Sequence, residues 1–181
     1  MSILPPVTPT PVQHRTKLTR GLARWLVAAA VAAIALGSVP VKAERDLPLP
    51  RFVSLRTNEV NLRAGPGVRY PIEWVMVRRG MPVEVLAHYD TWRKIRDHQG
   101  VEGWVHQQGL TGRRSALVAG AIRALHRRAD RGSPVIATLE PGVLLQLSEC
   151  KAGWCRAEVE GRRGWIAAAE IWGVYPGEEF E

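Results

Sequence analysis

The side chains in this sequence that could do chemistry are few, and their spacing argues against most reactions. His88, His98 and His106 lie near one another in the chain, and imidazoles hold zinc when three or four ligands converge. Here they fall on different predicted strands or a loop, with no carboxylate frame and no His-x-His or Cys partner. No metal and no cofactor is expected. Cys150 and Cys155 are the two thiols, and they lack the Cys-x-x-Cys spacing of redox centres. No Ser/His/Asp or Cys/His arrangement stands out, and Glu73, Asp97 and Glu102 are isolated acids in charged turns. Catalysis is therefore not expected. The stretch VNLRAGPGVRYP, residues 60–71, poses a sharper question, because a glycine-rich turn can cradle a phosphate or simply bend a strand. A phosphate loop needs several N–H groups converging at a helix start, usually with a Lys and a Ser or Thr. Pro66 removes one N–H, no Lys-Ser/Thr pair follows, and no helical pattern succeeds it. Gly65 and Gly67 instead suit a tight turn, with positive φ around a proline of fixed φ.

The elements that carry these residues form a divergent internal duplication. Gly80 is followed by Trp92 and Trp104, and Gly142 by Trp154 and Trp165, at matching intervals. Leu62 and Pro71 have the same separation as Leu125 and Pro134. Two single-residue gaps reconcile the halves at a period of about 62. Each unit reads as short strands: 83–90, 92–97 and 103–106, then 143–149, 154–160 and 164–167. Val83, Val85 and Ala87 alternate with Glu84, Leu86 and His88. Apart from a possible single turn at IAAAEIWG, no stretch after residue 43 keeps a helical period for three turns. The fold class is all-β: two tandem small barrels, 44–115 and 116–181, packed together because a domain of about 60 residues buries little core alone.

Ile95 and Val105 take the inward parity of their strands, which puts Trp92 and Trp104 on the other face with Lys94, Arg96 and His106. Trp154 and Trp165 share the equivalent parity with Arg156 and Glu158. Paired aromatics beside charges make a shallow groove for a peptide or glycan; the same residues could equally cover a barrel edge or the joint between barrels. Cys150 and Cys155 flank KAGW. In a hairpin with a four-residue loop they face each other within bridging reach, so a disulfide is expected, with a modest entropic gain.

Residues 1–43 read as a leader rather than as fold. Arg15, Lys17, Arg20 and Arg24 precede an apolar run from Trp25 to Leu36, and Val41-Lys42-Ala43 has the layout of a cleavage site after Ala43. The run is shorter than the roughly 20 residues that a span needs, so no stable membrane span is expected after cleavage. The chain carries 25 Lys+Arg against 17 Asp+Glu. Five of the bases and none of the acids lie in 1–43, which leaves a net charge of +3. Nucleic acid is not an expected partner.

VNLRAGPG, EVLAHYDTWRKIRD and EGWVHQQGL together resemble the bacterial SH3-like family. ECKAGWCRAEVEGRRGWI and the WGVYPGE ending are similar to its tandem, exported alphaproteobacterial members. The resemblance covers roughly residues 52–178, and the second unit departs from it where RALHRRADRGSP replaces NLRAGPGVRYP. It implies two SH3-like barrels in an exported protein, in the periplasm or secreted. It also implies a ligand groove, with Tyr70 as a wall beside Trp92, Trp104, Arg96, Trp154 and Trp165. The implied function is a non-enzymatic binding module for cell-wall peptidoglycan peptide, with an adaptor for an envelope protein as the alternative. Oligomeric state is left open.

Overall fold

A computed structural model describes residues 47–181; the leader and its cleavage after Ala43 lie outside the described residues. Fourteen strands form two seven-stranded antiparallel sheets. The first comprises β1 (Arg51–Leu55), β2 (Val60–Arg63), β3 (Ile72–Met76), β4 (Pro82–Tyr89), β5 (Trp92–Arg96), β6 (Glu102–His106) and β7 (Leu110–Thr111), in the order β3-β2-β6-β5-β4-β1-β7. The second comprises β8 (Ser115–Val118), β9 (Arg123–His126), β10 (Val135–Leu139), β11 (Leu144–Lys151), β12 (Trp154–Val159), β13 (Arg162–Ala167) and β14 (Ile171–Trp172). Its order, β10-β9-β13-β12-β11-β8-β14, repeats the first. The tandem SH3-like architecture follows. Short 3₁₀ turns at Gln107–Gly109 and Ala168–Glu170 interrupt the strands, the latter inside IAAAEIWG.

Each unit has its own apolar core. Val53, Leu62, Val83, Val85, Ile95 and Val105 fill the first, and Leu125, Leu145, Cys155 and Ile166 anchor the second. The expected alternation along residues 83–88 breaks at Leu86, where a bulge shifts the register between Val85 and Ala87. Ala87 then faces outward, opposite Lys94. β11 repeats the irregularity between Leu147 and Glu149. A bulge adds bend and twist to one strand, which these long strands need to close over a small core.

The hairpin carrying the cysteines is tighter than expected. Lys151 pairs with Trp154 and Cys150 with Cys155, so the connection is the two-residue turn Ala152–Gly153 rather than a four-residue loop. Both turn residues have positive φ, 50° and 78°, as a type I′ turn demands. Cys150 sends its backbone N–H and C=O to Phe180, away from β12. The cysteines thus occupy a non-hydrogen-bonded pair, where strands approach most closely; their Cα atoms lie 4.1 Å apart and the disulfide is formed. In the first unit the same place is taken by His88 and Arg93. Arg93 is buried and ties the hairpin together from its guanidinium, which donates to Asp90 O, Trp92 O and Gln107 Oε1.

β1 and β8 are buried along nearly their whole lengths, because each covers its own core with one face and meets the other barrel with its opposite face. Phe52 stands edge-on to Trp172 at 5.0 Å and tilts against Tyr175 at 4.7 Å. Glu84, 5% exposed, accepts two bonds from Arg96 and one from the Tyr175 hydroxyl at 2.7 Å. The joint is therefore held by aromatic edges around one shared carboxylate. Among the described residues no helix is long and apolar enough to cross a membrane.

Candidate ligand-binding cleft

β2, β6, β5 and β4 turn a continuous outer face to solvent. The register sets Arg63 opposite Trp104 and Trp104 opposite Lys94; one pair along, His106 stands opposite Trp92 and Trp92 opposite Tyr89. Alternation thus brings both tryptophans to one face, as their parity predicts. At its end the face opens into a cleft of 420 Å³, lined by Trp92, His106, Arg63, Glu59, Asn61 and Val68 among others. Trp92 and His106 meet edge to face at 5.4 Å. His106 Nδ1 accepts the Gln108 N–H at 3.4 Å. Arg63 donates from Nη1 to the carbonyls of Val68 and Tyr70, so the guanidinium is fixed at the rim by the loop it supports. Lys94 and Glu102 form an ion pair at 2.7 Å across β5 and β6. That contact holds Glu102 below the usual carboxylate range against the opposing effect of desolvation.

The expected groove residues divide by place. Trp92 lines the cleft, and Trp104 lies on the same face between Arg63 and Lys94. Arg96 is engaged with Glu84 at 2.6 Å at the joint, and this partner raises its pKa. Tyr70 lines no part of the cleft: its ring packs on Gly65, where a Cβ would stand 2.5 Å from it. Trp154 and Trp165 occupy the equivalent face of the second barrel beside His126, which meets Trp154 edge-on at 5.7 Å and pairs with Trp165. Sequence parity does not single out Arg63, Glu59 or Asn61. Their signal is position: Asn61 and Arg63 lie within VNLRAGPG and Glu59 immediately precedes it. The tryptophan that closes the joint between barrels is Trp172, not one of the four on the outer faces.

The turn glycines require a correction. Neither Gly65 nor Gly67 is among the positive-φ glycines. Gly67 N–H donates back to Gly65 O, a three-residue turn centred on Pro66, and Tyr70 N–H then donates to Gly67 O. Proline's fixed φ matches the centre of an inverse γ-turn. The second barrel builds the same loop without these glycines: Asp130 N–H donates to Arg128 O, Ser133 N–H to Asp130 O, and Arg127 N–H to Pro134 O as Ala64 N–H does to Pro71 O. Gly65 is small because Tyr70 lies on it; Arg128 takes its place where Ser133 replaces the ring.

The bacterial SH3 domain profile matches residues 56–112 and again 119–173, more than half of the chain. The chain belongs to the bacterial SH3 domain family. Over 128 residues this tandem bacterial SH3 protein is 27% identical to YrvJ of Bacillus subtilis (strain 168), a protein named as an N-acetylmuramoyl-L-alanine amidase; the match covers 61% of this chain and 24% of that protein. The chain therefore spans about a quarter of that relative's length. Among solved structures, NlpC1 of Trichomonas vaginalis overlaps 74% of this chain and 49% of its own at 13% identity and a TM-score of 0.32. An NlpC/P60 family protein of Bacillus cereus ATCC 10987 overlaps 67% and 55% at 12% identity and a TM-score of 0.31. At such scores the overlaps carry no argument, and the fold rests on the strand pairing above. Among the described residues no three His, Cys, Asp or Glu are placed to hold a metal ion.

Proposed function

We propose that this protein is an exported, non-enzymatic module that binds peptidoglycan peptide in the cleft around Trp92. The observation that carries the reading is the cleft's composition. An aromatic wall of Trp92 and His106 shares the lining with an acid, Glu59, and a base, Arg63. A short peptide bearing a free amine and carboxylates matches that layout, with its apolar side chains against the rings. Family membership and the likeness to a protein named as an amidase support the same class of ligand. Trp104 extends the surface, and Trp154 with Trp165 offers a counterpart on the second barrel.

Co-sedimentation of the purified protein with isolated sacculi across a salt series tests this. Saturable binding that survives moderate salt and disappears in Trp92→Ala is expected. Binding that fades with salt and ignores Trp92→Ala would sink the proposal, since it would report only screened charge. A second reading, an adaptor for an envelope protein, draws on β3. This edge strand exposes Ile72, Trp74 (62%) and Val75, with Val77 next along the chain, an apolar stretch on a sheet edge of the kind that takes partners. Capture of an envelope protein that survives muramidase and is lost in Trp74→Ser would favour it.

A further inference from the structure

The joint between the barrels holds a second cleft, of 550 Å³. Arg56, Arg79 and Arg113 line it together with Ser54, Thr111 and Gln146, and no Asp or Glu does. The arginines come from three separate segments: the end of β1, the β3–β4 turn and the linker after β7. Arg56 is anchored by one bond from Nε to Leu110 O at 2.9 Å. The side chains of Arg79 and Arg113 make no hydrogen bond or ion pair among the described residues.

The backbone beneath them is fixed. The hydroxyls of Ser54 and Ser115, both 2% exposed, touch each other and between them reach Arg113 O and Gly80 O. A buried serine pair thus pins Arg113 and the neighbour of Arg79 to one another across the joint. Such support from behind is what holds a binding constellation in place.

The duplication shows that the fold does not require these charges. Gly80 N–H donates to Leu55 O as Gly142 N–H does to Val118 O, and Arg56 N–H donates to Gly109 O as Ala119 N–H does to Glu170 O. Leu55 pairs with Leu110 as Val118 pairs with Ile171. Aligned through these bonds, Arg56, Arg79 and Arg113 correspond to Ala119, Pro141 and Val174. The second barrel closes the same frame with no arginine at any of the three places. All three arginines are exposed and no carboxylate in the cleft neutralises them, so an anion entering it meets uncompensated positive charge.

We propose that this cleft binds a phosphate-bearing anion. Guanidinium forks match phosphate oxygens in geometry, and a phosphate ester carries about −1.5 to −2 charges at neutral pH, closer to the three cations than one carboxylate is. Thr111 and Gln146 add neutral donors, and the volume leaves room for a sugar or glycerol attached to the phosphate. The site is separate from the cleft at Trp92 and does not rest on that reading.

Calorimetric titration of the purified protein with pyrophosphate at constant ionic strength tests the proposal. Saturable one-to-one binding is expected, weakened about tenfold or more by Arg79→Gln with Arg113→Gln. Arg127→Gln with Arg128→Gln removes equal charge from a distant loop and should leave affinity within about twofold. Arg113→Gln alone, expected to weaken binding by a smaller factor, serves if the double variant does not fold. Absence of saturable binding, or equal weakening by both pairs of substitutions, overturns the proposal. Sedimentation with phosphatidylcholine vesicles, with and without phosphatidylglycerol, then identifies the source of the phosphate. Capture by the anionic vesicles that pyrophosphate reverses assigns a lipid headgroup; pyrophosphate binding without capture assigns a soluble phosphate ester.

Discussion

Gly65 offers a quantitative test of why a glycine sits in this turn. Its φ is not in the left-handed region, so an alanine meets no backbone penalty there. What it meets is Tyr70: a Cβ would lie 2.5 Å from one ring carbon and 2.6 Å from two more. That is about 1 Å inside ordinary carbon contact. The ring must swing out, at an overpacking cost of about 1–3 kcal/mol. Alanine offsets part of this, about 0.4–1 kcal/mol, by restricting the unfolded chain. Gly65→Ala should therefore destabilise by about 1–2 kcal/mol net. In a Tyr70→Ser background, which copies Ser133 of the second barrel, the same change should be neutral or slightly stabilising. The four proteins of the cycle, unfolded in urea with a common slope, should give a coupling of about 2 kcal/mol. A Gly65→Ala penalty that persists undiminished without the ring would refute the argument, because it would mean that the backbone itself demands glycine.

Trp172→Ala removes the edge contact to Phe52 and should cost about 2–3 kcal/mol, below the usual range for a buried tryptophan because the ring is half-buried; thermal unfolding should then show the barrels melting less cooperatively. Replacing Cys150 and Cys155 by alanine opens a loop of sequence separation 5, for which chain entropy gives a loss of about 2 kcal/mol, read from the urea midpoint. Glu178 is held below the usual carboxylate range: burial opposes ionisation, but the Arg114 guanidinium and the Tyr175 N–H outweigh it. A depressed carboxylate stabilises above its unfolded pKa of about 4.3 and loses that as pH falls through the folded value. The urea midpoint should drop on acidification, and drop less in Glu178→Gln. Tyr175 is raised, first by burial and then by its bond to Glu84. Its contribution is complete below the unfolded phenol's pKa of about 10 and is withdrawn as pH rises beyond it, so a midpoint flat from pH 9 to 11 would contradict the assignment.

The barrels were legible because period-two alternation and the spacing of glycine and tryptophan are local signals. Ile95 and Val105 inward with Trp92 and Trp104 outward follows from strand parity alone, and the cysteines from hairpin geometry. Where parity fails, a tertiary demand intervenes. Glu84 has an outward position yet is buried, because the other barrel covers it. Leu86 breaks alternation because the strand must bend. Gly65 was read for the wrong property: smallness and positive φ leave the same letter in a sequence. That the barrels pack together follows from their small size, but the residues of the joint and of the arginine cleft were invisible for a different reason. They come from segments as far apart as Phe52 and Trp172, or Arg56 and Arg113, and no periodicity links them.

The carboxylate of Glu84 also orders events in time. Its bond to Tyr175 spans 91 residues, whereas its bond to Arg96 spans 12. A chain made from its N-terminus can close the first sheet and satisfy half of this acid early, from contacts of short loop length. The other oxygen keeps water until the second sheet has delivered its tyrosine. By loop length, docking of the barrels is the step expected last, so stopped-flow refolding should show the Phe52–Trp172 and Glu84–Tyr175 contacts forming after the first sheet closes.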